Sequence, residues 1–229
     1  MRGDLFVLFC NDGYGLPFEA ALRGWCARGP SRRFLVVKSL RHGTAPGDGG
    51  SLARLRLAVS NRLRILGGER TVLSENINDP RFAGSFLRAR GRLFGVVAGF
   101  NQIARPETIR RFTALYNFHP SLLPYYRGPV PSYWCIRNKE ACSGITLHEV
   151  TSEIDRGEIV WQESLPIETT DPEALDRALS GLGAAFLPLL LDSLEEGRAL
   201  PGRRLQAETI YRTLVDYASF PGPREEASR

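Results

Sequence analysis

Three side chains in this sequence have the types that chemistry at an acyl carbon needs. Asn117 and His119 stand two residues apart in LYNFHPSLLPYYRG, Leu115 to Gly128, and Asp155 follows in IDRGEIV, Ile154 to Val160. An amide N–H can polarise a carbonyl, an imidazole can move a proton, and a carboxylate can orient that imidazole or take the proton itself. Residues two apart on a strand share a face, and Pro120 stops the strand directly after His119. An isolated Asn-x-His also fits a plain strand-to-loop turn, so the elements around it must decide.

Those elements alternate between short β-rich runs and longer helical patterns, which points to a Rossmann-like α/β fold: an open, mostly parallel, twisted sheet with helices on both faces. Strands are expected at Leu5 to Cys10, Phe34 to Lys38, Thr71 to Leu73, Phe94 to Ala98 and Leu115 to Phe118. The helices between them are expected at Pro17 to Arg28, Ser51 to Leu66, Pro80 to Arg90 and Pro106 to Phe112, three of them with Pro near the first turn. Asn117 and His119 then fall at the carboxyl end of a strand, where ligands of open α/β sheets bind. GITLHEV, Gly144 to Val150, and EIVWQE, Glu158 to Glu163, read as a mixed or antiparallel edge joined by the loop that carries Asp155 and Gly157.

Thr170 and Glu173 fit a capping box for a long helix with Leu175, Leu179, Leu182, Phe186, Leu190 and Leu194 inward and a kink at Pro188. Residues 1–200 form one domain, and 201–229 a short tail with a strand near Leu205 and a disordered end from Pro221.

The 229 residues carry a formal net charge of +5, four cysteines and three histidines. Cys10, Cys26, Cys135 and Cys142 have neither CxxC pairing nor zinc-ligand spacing, so they read as inert reduced thiols rather than a disulfide scaffold. A metal centre is hard to build from His42, His119 and His148, and none is expected. The apolar run Leu5 to Cys10 is too short for a signal peptide and no later stretch approaches bilayer length; a cytoplasmic protein without a membrane partner is expected.

The arginines cluster at Arg54, Arg56, Arg62 and Arg64 and at Arg88, Arg90 and Arg92. Leu52, Leu55, Val59, Leu63 and Leu66 recur at helical spacing, so the first cluster reads as the outer face of an amphipathic helix whose leucines face the core. The alternative is a surface for an anionic partner. Nucleic acid is disfavoured, because no aromatic residues interleave with the arginines.

The run YNFHPSLLPYYRGPVPSYW, followed by GITLHEVTSEIDRGEIVWQE, resembles the folate-dependent formyltransferase family. The likeness is densest from Phe94 to Ile167 and rests on AGFNQI, NFHPSLLP and IDRG in that order. It implies a formyltransferase-type catalytic domain with Asn117, His119 and Asp155 as the catalytic groups, 10-formyltetrahydrofolate as the formyl donor and a primary amine as acceptor. Asn117 and a protonated His119 would then stabilise the developing oxyanion, while Asp155 takes the amine proton and raises the His119 pKa by its charge. The same resemblance places the folate against the loop Phe100 to Ala104, with Gln102, and against Thr151, Glu153 and Ile154, largely through backbone groups. Phe100 and Ile103 fit core packing as well as ligand contact, and His148 fits strand packing as well as an acceptor site. Tyr133 and Trp134 fit half-buried helix positions as well as a stacking surface.

The acceptor is read from what differs. In the turn CNDGYGLP, Cys10 to Pro17, Asp12 is unfavourable beside a phosphate. This counts against glycinamide ribonucleotide, and a simple tight turn is the plainer reading. The segment from Arg198 to Arg229 is short for the RNA-binding domain of methionyl-tRNA formyltransferases. The expected acceptor is therefore a small molecule, a nucleotide-linked amino sugar, with a homodimer open to the chain. Hydrolysis of the same folate, or binding without catalysis, are the competing classes.

Overall fold

The computed structural model describes residues 3–40 and 51–200, with backbone only at 51–54. Its strands are β1 (Leu5–Cys10), β2 (Phe34–Ser39), β3 (Thr71–Ser74), β4 (Leu93–Ala98), β5 (Ala114–His119), β6 (Cys142–Glu149) and β7 (Ile159–Pro166). They form one sheet in the order β3-β2-β1-β4-β5-β6-β7. Pairing is parallel from β3 through β5 and antiparallel at β5–β6 and β6–β7. The helices are α1 (Leu16–Ala27), α2 (Ser51–Leu66), α3 (Pro80–Phe86), α4 (Pro106–Ile109), α5 (Pro131–Arg137) and α6 (Pro172–Glu196). This is the expected architecture. Predicted strand near Leu205, disorder after Pro221, the 201–229 tail and His42 lie outside the described residues.

β1 is apolar along its whole length and buried at all six positions, as a central parallel strand covered on both faces must be. Its alternate side chains feed two cores. Phe6, Leu8 and Cys10 pack with α1 and α6, whereas Leu5, Val7 and Phe9 pack with Ala83 and Leu87 around α3. Burying a Leu or Phe side chain contributes about 1.5–3 kcal/mol, and α6 alone buries Leu175, Leu179, Leu187, Leu190, Leu191 and Leu194. α1 and α6 are also tied by a hydrogen bond from Trp25 Nε1 to Asp192 Oδ1 of 2.6 Å.

Several expectations need correction. The N-cap of α6 is Asp171, whose side chain accepts from Glu173 N, and Thr170 plays no part in a capping box. α6 contains an 18-residue stretch with a mean hydropathy of 1.4, so one apolar stretch does reach bilayer length, but its leucine face is spent on the sheet. α3 ends at Phe86, short of Arg90. The largest departure is α2. Leu55, Val59, Leu63 and Leu66 are 61, 50, 63 and 82 % exposed, so the stripe expected inside faces outward. The helix is turned by Asn61, whose amide donates to Leu73 O and accepts from Leu73 N at 2.8 and 3.0 Å, clamping that face to β3. A buried amide left without partners costs several kcal/mol, and a paired one can set orientation.

Candidate functional site

β5 and β6 assemble the centre. Tyr116 and Phe118 of β5 enter the α1/α6 core, which leaves Asn117 and His119 on the other face. Asn117 lies opposite His148, and His119 opposite Thr146, in the antiparallel register. Direct cross-strand neighbours have Cβ atoms only about 5 Å apart. Asn117 Nδ2 accordingly stands 3.1 Å from His148 Nε2. The Nδ1–H of His148 donates to Glu149 O at 2.8 Å. With that proton committed, Nε2 is the His148 ring atom that meets the Asn117 amide. The second Asn117 N–H is left for the cleft.

Asp155 reaches the pair from the β6–β7 connection. Its Oδ1 is 3.6 Å from His148 Nε2 and its Oδ2 is 3.7 Å from His119 Nδ1. It also accepts a hydrogen bond from Gly128 N at 2.8 Å. Asp155 itself has a φ of 53°, a left-handed conformation that Asp tolerates better than most residues. Gly157 allows the loop to close: a Cβ there would sit 1.8 Å from Glu149 O. On the other side, Thr146 Oγ1 donates to Ser121 O at 2.6 Å and accepts from Leu123 N at 3.1 Å, holding the loop after His119 against β6.

The electrostatics follow from burial. Burial alone would raise the Asp155 carboxyl. The His119 and His148 imidazoles and the Gly128 N–H outweigh it and hold the group well below the usual carboxylate range. Burial pushes the His119 imidazole below its ordinary value, and Asp155 and the Tyr126 carbonyl oppose this without overcoming it. The expectation of a protonated His119 with a raised pKa is therefore overturned. His119 is 4 % exposed, and its Nε2–H donates to Tyr126 O at 2.9 Å, which leaves Nδ1 as the ring atom facing Asp155.

A cleft opens at the carboxyl ends of β4 and β5. Asn117, His148 and Asp155 line one end of it, with Phe100, Gln102, Ala104, Thr151, Glu153 and Ile154 among the rest of the lining. His119 is not among the lining residues and stands behind Asp155. The Gln102 side chain points into the protein, accepting from Ile77 N at 2.8 Å and donating to Ser39 Oγ and Ser74 O. Only backbone and rim atoms of that residue remain for a ligand. Ile103 is exposed at the mouth, and the Phe100 ring packs 5.4 Å from Phe9 while edging the cleft. Trp134 is buried and unavailable for stacking, whereas Tyr133 is half-buried. His148 is the group whose role the sequence left open. Its signal was the HxxxxxxD spacing to Asp155 across a strand end.

In the first turn, Asn11 Oδ1 accepts from Gly13 N and Gly15 N at 3.1 and 2.9 Å. These are the N–H groups a phosphate would need, which supports the tight-turn reading. Asp12 is not an isolated repulsive charge but pairs with Lys38, which also meets Glu19 at 3.0 Å. The described arginines of the two clusters are not in the cleft lining; Arg92 binds Asp4 and the carbonyls of Leu194 and Glu195, and Arg64 binds Glu69. The Cys10, Cys26 and Cys135 thiols are pushed up by burial to about 12, 11 and 11, and are inert as nucleophiles near neutral pH.

A family profile described as formyl transferase matches residues 80–191, which hold Asn117, His119, His148 and Asp155. The methionyl-tRNA formyltransferase of Parabacteroides distasonis is 35 % identical over 127 residues, covering 54 % of this chain and 38 % of that protein. The chain therefore spans well under two thirds of that relative. Among solved structures, glycinamide ribonucleotide transformylase 1 from Symbiobacterium toebii superposes with a TM-score of 0.63 at 19 % identity, covering 90 % of this chain and 95 % of that one. A sugar 3N-formyl transferase solved in the presence of dTDP and 5-N-formyl-THF gives a TM-score of 0.60 at 19 % identity, covering 92 % of this chain and 70 % of that one. At these identities the structural matches establish a shared fold.

Proposed function

Residues 80–191 match the formyl transferase family, and from that premise we propose that the chain belongs to it and transfers the formyl group of 10-formyltetrahydrofolate to a primary amine. The observation that carries the reading is the cleft in which Asn117, His148 and Asp155 meet the loops 100–104 and 151–155.

The residues divide the work. When the amine attacks the formyl carbon, negative charge builds on the formyl oxygen. The Asn117 N–H that His148 does not use is the donor aimed at it, a contribution of about 3–4 kcal/mol in comparable oxyanion sites. The amine nitrogen becomes cationic in the same step, and the ionised Asp155 carboxylate stabilises that charge. Held so acidic, Asp155 is a weak base by itself. The proton instead settles between Asp155 Oδ2 and the Nδ1 lone pair of His119, whose 3.7 Å separation closes once a proton bridges them. The leaving folate nitrogen then takes a proton back.

For the acceptor, the best-supported reading is a nucleotide-linked amino sugar. It rests on the fold shared with a sugar 3N-formyl transferase solved with dTDP, and on the first turn, whose N–H groups are occupied by Asn11 rather than open to the phosphate of glycinamide ribonucleotide. A second reading, methionyl-tRNA, is favoured by the curated relative. The test is a set of amines, namely dTDP-4-amino and dTDP-3-amino sugars, glycinamide ribonucleotide and charged methionyl-tRNA, each with 10-formyltetrahydrofolate. Formylated sugar nucleotide is expected. Formylated methionyl-tRNA alone would replace the acceptor, and folate release independent of every amine would replace transfer by hydrolysis.

A further inference from the structure

We propose that the tripeptide Tyr126–Gly128 is a positioning bridge that fixes His119 and Asp155 relative to each other, with Arg127 as its principal side chain. The role rests on the reading of Asn117, His119 and Asp155 as the reacting centre. Each of the three consecutive residues grips a different point of that centre. Tyr126 O accepts the Nε2–H of His119 at 2.9 Å, Arg127 Nη2 donates to Ile154 O at 2.5 Å, and Gly128 N donates to Asp155 Oδ2 at 2.8 Å.

His119 ends a strand and Asp155 sits on a separate loop, so no regular ladder sets their distance. The bridge does. It fixes the tautomer of His119 from one side, and from the other it holds both the carboxylate and the carbonyl immediately before it. Asp155 has a φ of 53° and Tyr126 a φ of 57°. Non-glycine residues keep such conformations only when the surroundings hold them there.

The bridge is itself anchored away from the cleft. The Tyr126 hydroxyl donates to Glu140 and accepts from Asn138 Nδ2 at 3.0 Å, at the turn between α5 and β6. Ser121 Oγ donates to Tyr125 O at 2.7 Å and braces the preceding residue. Arg127 is buried, and its guanidinium brings a positive charge to the protein side of the His119–Asp155 pair. Asp155, His148, Arg127 and, from α6, Asp176 are the charged or titratable groups that act on His119. Arg127 and His148 oppose its protonation, and the two carboxyl groups favour it.

The test is an NMR titration of the three histidines in the whole chain, wild type against Arg127→Met, Arg127→Lys and Tyr126→Phe, with no substrate present. Loss of the Arg127 cation in Arg127→Met should move the His119 midpoint upward. Arg127→Lys should keep the midpoint near wild type while its formyl-transfer kcat falls about tenfold to a hundredfold at little changed KM, because the point charge remains and the fixed reach to Ile154 does not. Tyr126→Phe, which removes only a hydroxyl on the far side, should broaden the His119 signal and lower kcat. An unmoved His119 midpoint in Arg127→Met overturns the bridge; if that variant does not fold, an unchanged His119 signal and kcat in Tyr126→Phe overturn it. The histidine signals are read without substrate, so they judge the bridge separately from the proposed reaction.

Discussion

Asn117 and His148 face each other in register across the antiparallel β5–β6 pair, with Nδ2 of one 3.1 Å from Nε2 of the other. The contact aims the Asn117 amide, because His148 is itself fixed by the carbonyl of Glu149. The two residues should therefore fail differently. Asn117→Ala removes the proposed oxyanion donor and should lower kcat by about 10²–10³. His148→Phe keeps the ring volume but releases the amide, and should cost about tenfold in kcat with KM nearly unchanged. Steady-state kinetics of formyl transfer check both; a His148→Phe enzyme as fast as wild type would show that Asn117 needs no such guide.

The pH dependence has a definite sign. Burial, opposed by Asp155, holds His119 below its ordinary value, so its unprotonated form persists below the usual histidine range of about 6.5. The acid limb of kcat/KM should lie below that value, and Asp155→Asn should move it further down by removing the opposing charge. For stability, a folded-state imidazole that binds protons more weakly than the unfolded chain contributes a penalty as pH falls below about 6.5. Asp155 acts in the same direction at lower pH. Its folded-state value is depressed, so its contribution is fully present above about 4 and is lost as pH falls through the folded value. Urea midpoints measured from pH 8 to pH 3 should decline in both windows, and the lower decline should shrink in Asp155→Asn.

The grouping of Asn117, His119 and Asp155 was legible in the sequence because the asparagine–histidine pair, its proline stop and the downstream aspartate are local patterns. Their electrostatics were not. The sequence brings Asp155 near His119 and so suggests a raised pKa, whereas depth of burial, which no spacing reveals, decides the net direction. His148 was obscured by the irregularity between Leu147 and His148, where the register to β7 passes from Trp161 to Ile159 and strand parity stops being a guide. Gln102 shows the reverse case. The loop lines the cleft, but the side chain is spent on Ser39, Ser74 and Ile77, all at least 25 residues away in sequence.

Gly157 should be among the least replaceable positions outside the reacting groups. An added Cβ would lie 1.8 Å from the carbonyl oxygen of Glu149, whose N–H is bonded to Glu158 O, so neither side of the contact is a flexible side-chain tip. Relief requires the β6–β7 connection to move, and Asp155 with it. Gly157→Ala should lose roughly 3 kcal/mol in urea unfolding and most of its kcat. Full activity would mean that the loop adapts without disturbing Asp155.

The orientation of α2 gives the sharpest contrast between pattern and packing. By periodicity, Leu63 belongs to the core and Asn61 to the surface; in the structure, Leu63 is 63 % exposed and Asn61 is 1 % exposed. Substitution separates the two arrangements. Leu63→Gln should change stability by no more than about 0.5 kcal/mol, as for an ordinary surface site. Asn61→Leu should destabilise by about 1–3 kcal/mol, because the N–H and carbonyl of Leu73 lose the amide that satisfies both. The measurement is urea unfolding of each variant at one pH. If Leu63→Gln were the costly change, α2 would have to turn by roughly half a revolution, and the clamp between Asn61 and β3 could not hold.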